Sequence, residues 1–211
     1  MIGLVISMIL VVGALVLFQN TAKRTAEARL DVSGDAQRTS SFLSAGLTLQ
    51  DAGFGIDTPA LNEHLFLLQG ATISAISNTD PPLITLNGTA TSGTGNAIVW
   101  AEQIITGTTR CSALVTILNN TTRRNEVYKL GPVNCPTPSL WSNLQWPPHL
   151  ISEIEIPENH PATSIAIQLS TVNCQPFGIT TDPGKYRVTL SARNSNGIEL
   201  STSQCLLNFP V

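Results

Sequence analysis

The chain has 211 residues, of which 42% are hydrophobic, 5% aromatic and 12% charged, and its formal net charge is -3. This length suits one ordinary domain with an appendage, or two small domains, and the slight acidity argues against a general nucleic-acid binder, which would carry a basic face. The low charge argues against a charge-rich disordered chain, and the lack of a periodic glycine or a short repeat argues against collagen-like and solenoid proteins.

The chain opens with an apolar run, residues 1–18, that contains neither a charged residue nor a proline. As a helix rising about 1.5 Å per residue, the run would be about 27 Å long, close to the roughly 30 Å hydrocarbon core of a bilayer. A secretory signal peptide is the alternative, but its shorter apolar core follows a basic stretch that is missing here. We predict a membrane-anchoring helix with the apolar side chains Leu4, Val5, Ile6, Ile9, Leu10, Val11, Val12, Leu15, Val16, Leu17 and Phe18.

The helix is expected to continue beyond the apolar run, because residues 19–50 contain no proline and only two glycines, Gly34 and Gly46. This second half is amphipathic, with apolar residues recurring close to one helical stripe. The sequence Gly-Phe-Gly at 53–55 is expected to end the helix. The side chains expected to pack this half on the rest of the protein are Val32, Ala36, Phe42, Leu43 and Leu47.

Beyond residue 59 the pattern changes to short alternating segments separated by turn residues. The predicted fold class is therefore α+β, with a long N-terminal helix packed on a mainly antiparallel β-sheet domain. We expect two parts, the helix at 1–55 and a β-rich head at 56–211, and an ordered loop at 136–148, which holds four prolines and two tryptophans. The predicted strands are 65–76, 83–87, 97–105, 111–118, 125–130, 152–156, 164–170, 185–192 and 203–209.

All four cysteines lie in the β-rich part, and none belongs to a Cys-x-x-Cys pair. The three histidines show no ligand spacing beside them, so a structural zinc site is not favoured. An even number of cysteines in an anchored head instead predicts two disulfides formed in an oxidising compartment. Three pairings are possible, and we favour Cys111–Cys135 and Cys174–Cys205 because each joins predicted strands that are near one another in sequence.

Two signals on membrane orientation conflict. Lys23, Arg24 and Arg29 follow the apolar run, and basic residues tend to stay on the cytoplasmic side of a membrane. The cysteines indicate an oxidising compartment for the head. A basic leader ahead of Met1 would resolve the conflict.

Sequence motifs for catalysis are missing. The chain has no G-x-S-x-G, no H-E-x-x-H and no G-x-x-x-x-G-K-[ST] motif. Glu153 and Glu155 would lie on one face of a strand, where a solvated surface is favoured over acid–base catalysis by paired carboxylates. The three tryptophans suit core packing better than a carbohydrate platform. We therefore expect a protein that is not an enzyme and that holds no cofactor and no metal.

The N-terminal helix of type IV pilins and type II secretion pseudopilins resembles the opening of this chain, MIGLVISMILVVGALVLFQN. Those proteins begin, after a short basic leader, with a motif close to Gly-Phe-Thr-Leu-Ile-Glu-Leu-Met, and the match here starts only at its last residue, Met1. In PilW-like minor pilins, the long helix ends in a stretch that is similar to residues 43–55 of this chain, LSAGLTLQDAGFG. The resemblance is good to about residue 56 and weak beyond.

The resemblance implies a pilin-like fold and a structural subunit of a type IV pilus, a minor pilin that contributes to pilus assembly or to the filament tip. The apolar helix of residues 1–18 would serve first as membrane anchor and then as filament core. Its implied partners are other pilin subunits, an inner-membrane assembly platform and, before assembly, membrane lipid, with no nucleic acid. The head would lie in the periplasm and later on a cell-surface pilus. The family's glutamate and cleavage site would lie before Met1, so no residue here is assigned to leader processing.

Alternatives of the same class are a major pilin and a secretion pseudopilin. The alternative of a different class is a membrane-anchored periplasmic module for binding or adhesion.

Overall fold

The computed structural model describes residues 2–76, 80–105, 107–156, 163–174, 184–193 and 197–210. Within these residues, one α-helix, α1 (Ile2–Leu49), precedes ten strands. The strands are β1 (Leu65–Ala75), β2 (Ile84–Thr91), β3 (Thr94–Gly95), β4 (Ala97–Ile105), β5 (Thr108–Asn119), β6 (Arg124–Asn134), β7 (Pro148–Glu155), β8 (Ala166–Cys174), β9 (Gly184–Arg193) and β10 (Glu199–Pro210).

The nine predicted strands are confirmed, and the short β3 is an addition. The alternation of apolar and polar residues is plainest in β9, where Tyr186, Val188 and Leu190 are buried while Lys185 and Arg187 are exposed. A strand with one buried face has this period of two, so the pattern was readable from sequence.

The strands form two antiparallel sheets. The larger has six strands in the order β2-β1-β4-β5-β6-β7, and the smaller has four in the order β10-β9-β8-β3. One face of the larger sheet shares a hydrophobic core with the smaller sheet and with the end of α1, and this core contains Trp100, Leu114, Val188 and Phe209. The head is therefore a two-sheet sandwich.

Helix α1 closes one side of this sandwich. It contacts β7, the edge strand of the larger sheet, and β10, the edge strand of the smaller one. The Ser41 hydroxyl is hydrogen-bonded to the Ser152 hydroxyl of β7. On the other side, the Asn208 amide of β10 donates to the backbone carbonyls of Gln50 (2.9 Å) and Ala52 (3.0 Å). The helix end is thus fixed to both sheets.

The opposite side of the sandwich is joined by a hydrogen-bond network around Asn96, between β3 and β4. Its side chain accepts from the Ala71 amide (2.8 Å) and donates to the carbonyls of Ala71 (2.9 Å) and Thr116 (3.1 Å). The Thr116 hydroxyl donates in turn to the Ile165 carbonyl (2.8 Å), just before β8. These bonds connect β1, β5 and the start of β8 across the two sheets.

The other face of the larger sheet carries a second core under the predicted ordered loop. That segment contains a 3-10 helix, Pro138–Asn143, and then Trp146, which is buried. Backbone hydrogen bonds of 2.9 Å run in both directions between Trp146 and Ile84, and the rings of Phe66 and Trp141 lie 5.3 Å apart. The loop is therefore packed on the sheet.

Both disulfides follow the favoured pairing. Cys111 in β5 is bonded to Cys135 after β6, and Cys174 at the end of β8 is bonded to Cys205 in β10 across β9. The bonded residues are 24 and 31 apart in sequence. Closing loops of this size stabilises a fold by about 3–4 kcal/mol each in the chain-entropy model.

The predicted α+β, pilin-like class is wrong. The described chain is mostly antiparallel sheet, arranged as two sheets that pack on each other. Only the last part of α1 contacts them, and it does so between two sheet edges. A single helix against sheet is the part of the prediction that is compatible with the structure.

The predicted helix face for packing also needs correction. Phe42 is buried, but Val32, Ala36, Leu43 and Leu47 are exposed. The face that packs on the head lies on the side of the helix opposite the predicted one. The gap between β7 and β10 accommodates small and polar side chains together with a few large apolar side chains. Its buried residues are Arg38, Ser41, Phe42, Ala45 and Leu49, followed by Ala52 beyond the helix.

Two leucines two positions apart test this assignment. Leu49 is fully buried and Leu47 is 56% exposed. Replacing Leu49 by alanine leaves a cavity in the shared core, so we expect Leu49→Ala to lower the free energy of unfolding by about 2–4 kcal/mol. The matched variant Leu47→Ala should change it by less than about 0.5 kcal/mol. Equal losses in urea unfolding would contradict the assignment.

Candidate interaction surface

The first half of α1 extends away from the head with its apolar side chains uncovered. Eight large apolar residues there have between 51% and 73% of their surface exposed. Apolar side chains scattered singly on a surface are common, but a contiguous set of this size marks a surface that another molecule covers. The eight are Met8, Leu10, Val11, Val12, Leu15, Val16, Leu17 and Phe18.

The structure places seven of the predicted anchor residues on this exposed segment, from Leu10 to Phe18. The side chains of the other four, Leu4, Val5, Ile6 and Ile9, lie outside the described part of the molecule. Over the described residues, α1 offers no stretch that is both long and apolar enough to cross a membrane.

An apolar stripe continues from this segment along the second half of the helix. At about 100° per residue, Val11, Phe18, Val32, Leu43 and Leu47 fall within roughly 60° of one another around the helix axis. All five are exposed, because the opposite side of the helix packs on the head. The helix therefore presents its more apolar side to the outside.

A second exposed apolar group lies where the helix joins the head. Phe54 follows the helix, and Ile104 and Ile105 end β4; each has more than half of its surface exposed. The Gln103 amide donates to the Phe54 carbonyl at 2.7 Å, so the backbone at Phe54 lies beside the end of β4. We call Phe54, Ile104 and Ile105 the junction patch. The two consecutive isoleucines at the end of the predicted strand 97–105 could have indicated an exposed apolar surface. The sequence analysis assigned them only to the strand.

The outer face of β6 and β7 carries a polar cluster. Arg124 forms an ion pair with Glu153 at 2.9 Å, and Glu155 is exposed. The Tyr128 hydroxyl donates to the Glu126 carboxylate at 2.8 Å. This arrangement agrees with the solvated strand face predicted for Glu153 and Glu155, since each described group is paired or open to solvent.

Within the described residues, no three His, Cys, Asp or Glu side chains are grouped so that they could hold a metal ion. His64 accepts a hydrogen bond from the Ala60 amide through Nδ1 at 3.2 Å, and His149 is exposed on β7. His160 lies outside the described residues.

Comparisons with known proteins add no assignment. No family model, no curated protein and no solved structure matches the chain. The resemblance to PilW-like minor pilins therefore stays a prediction from the sequence.

The Tyr128 cluster gives a testable titration. Burial, the hydrogen bond to Glu126 and that carboxylate's charge raise the pKa of Tyr128 to about 12. Since the chain has two tyrosines, a Tyr186→Phe background isolates Tyr128 for titration by ultraviolet absorbance. Adding Glu126→Gln should lower the pKa of Tyr128 toward its ordinary value of 10.0. An unchanged midpoint, with circular dichroism showing a folded protein, would exclude this role for Glu126.

Proposed function

We propose that this protein is a structural subunit that assembles through its N-terminal helix. The observation that supports the proposal is the uncovered apolar half of α1, eight large apolar side chains that each expose more than half of their surface. A helix that is apolar on all sides becomes stable in water only when something covers it. Neighbouring copies of the same helix can provide that cover.

Burying the exposed side chains of α1 between subunits would release a large free energy. Fully burying a leucine, isoleucine, valine, phenylalanine or methionine side chain contributes about 1.5–3 kcal/mol. With eight such residues half exposed or more, helix association can supply enough free energy to offset the ordering of subunits. The stripe through Val32, Leu43 and Leu47 extends the available surface toward the head. A head-to-tail contact that does not close on itself produces an open filament.

The specific form that we propose is a minor pilin of a type IV pilus, which contributes to pilus assembly or to the filament tip. Its partners would be other pilin subunits and the inner-membrane assembly platform, with membrane lipid covering the helix before assembly. Its head would lie in the periplasm and then on the cell surface, which agrees with two disulfides. A major pilin and a secretion pseudopilin share this mechanism.

A second candidate function is a membrane-anchored module for binding or adhesion. The junction patch of Phe54, Ile104 and Ile105 favours it, because exposed apolar residues on a head often contact partners. In this case the protein would remain a monomer, and its head would do the binding.

Substitutions along the helix separate the two. We expect the triple variant Leu10→Gln, Leu15→Gln, Leu17→Gln to lower the fraction of protein recovered in sheared surface fibres at least about tenfold, because it removes apolar burial between copies. The matched control Asn20→Gln, Ser33→Gln changes exposed polar positions of the same helix and should assemble normally.

Full assembly of the triple variant would contradict a helix-mediated polymer. Cells in which the unmodified protein occurs only as a monomer, never in fibres, would favour the adhesion module.

A further inference from the structure

The junction between α1 and the head contains a buried acid. Glu102 in β4 is only 5% exposed. Because side chains alternate along a strand, it lies on the same face as Trp100, which belongs to the core shared with the helix. None of the described side chains forms a hydrogen bond or an ion pair with its carboxylate. Such a group is costly to bury in its charged form.

Two backbone hydrogen bonds that hold the junction lie on either side of this residue. The Gly53 amide donates to the Ala101 carbonyl at 2.8 Å, and the Gln103 amide donates to the Phe54 carbonyl at 2.7 Å. Gly55 packs so closely that a Cβ there would clash with the Gln103 carbonyl oxygen. The backbone on both sides of Glu102 therefore holds the chain that leaves the helix.

The charges around Glu102 come from three elements. Asp51, in the turn after α1, places a second negative charge near it, and the carboxyl-terminal end of a helix also carries partial negative charge. Arg110 lies across from it in β5, and Lys129 on β6 is the second positive group. Two histidines stand near these: His149 pairs with Lys129 in the β6–β7 register, and the His64 carbonyl accepts from the Ala101 amide.

We propose that Glu102 makes the helix–head junction pH-sensitive, so that the junction is more stable at acidic pH than at neutral pH. When the carboxyl is protonated, it is neutral at the margin of the core and the two junction hydrogen bonds are stable. When it ionises, its charge is buried opposite Asp51 and the helix end, and the junction loosens. This holds whether or not the chain forms filaments, and it would make the angle or attachment of the helix depend on the pH around the head.

The direction of the effect follows from the pKa. Burial, and then the charge of Asp51, raise the pKa of Glu102 above 4.5, against the opposing effect of Arg110 and Lys129. A carboxyl whose pKa is higher in the folded state stabilises that state below its unfolded pKa, and the stabilisation is lost as the pH rises through its folded pKa. Acidification from neutral pH therefore strengthens the junction.

Hydrogen exchange at the junction of the full chain tests this pH dependence. We expect protection of the Gly53 and Gln103 amides, corrected for the intrinsic pH dependence of exchange, to rise at least about threefold from about pH 7 to about pH 5. In Glu102→Gln the side chain is neutral throughout, so protection should be high and constant. The control Glu155→Gln, an exposed acid of β7, should behave like the unmodified chain.

Three results would overturn the proposal. One is a Glu102→Gln variant that keeps the full pH response, and another is an unmodified chain whose protection is constant or falls on acidification. The third is loss of the response in His64→Gln or His149→Gln, which would assign it to a histidine. Asp51→Asn should weaken the response without abolishing it, and since Asp51 is exposed this variant should fold normally.

Discussion

The fit of one helix segment into the gap between two sheet edges is the contact on which the rest of the structure depends. The two sheets share a core, and on the side where β7 and β10 end them, that core is covered by Phe42, Ala45 and Leu49 of α1. The Asn208 amide and the Ser152 hydroxyl fix the segment to both edges. Without this segment, the edges of two strands and several core residues would be exposed to water. Natural proteins usually protect such strand edges, for example by covering them with a helix.

This contact divides the helix into two parts with different roles. The part after about residue 38 belongs to the head, and its buried side contributes to the core. The apolar part near the start of the helix, with Val11, Phe18 and their neighbours, is exposed over its described side chains. The head uses only about a quarter of the 48-residue helix, residues 38–49, and the apolar half that remains exposed is what supports the proposed role in assembly.

Much of the strand pattern was readable from sequence, because one-sided burial imposes a period of two that turn residues interrupt. The pairing of those strands into two sheets was not, since it depends on contacts distant in sequence such as those of Asn96 with Ala71 and Thr116. The disulfides were predictable from spacing because both join segments that are near in sequence.

The helix face was predicted wrongly for a physical reason. Hydropathy selects the stripe through Val32, Leu43 and Leu47 as the buried one, whereas the gap in the head accepts Ser41 and Ala45. A prediction from sequence assumes that the most apolar side of a helix packs against the rest of its own chain. Here that side is exposed, which is expected when a partner covers it. The buried position of Glu102 was missed because burial of a single acid within an apolar strand leaves no pattern.

Unfolding of two shortened chains tests most directly whether the helix segment completes the head. A chain that starts at residue 30 keeps Arg38 to Leu49, and we expect it to unfold cooperatively in urea with a midpoint close to that of the full chain. A chain that starts at residue 53 lacks the segment, and we expect it to lose cooperative unfolding or to have a far lower midpoint. Equal midpoints for the two would show that the sandwich is complete without the helix, and the account would be wrong.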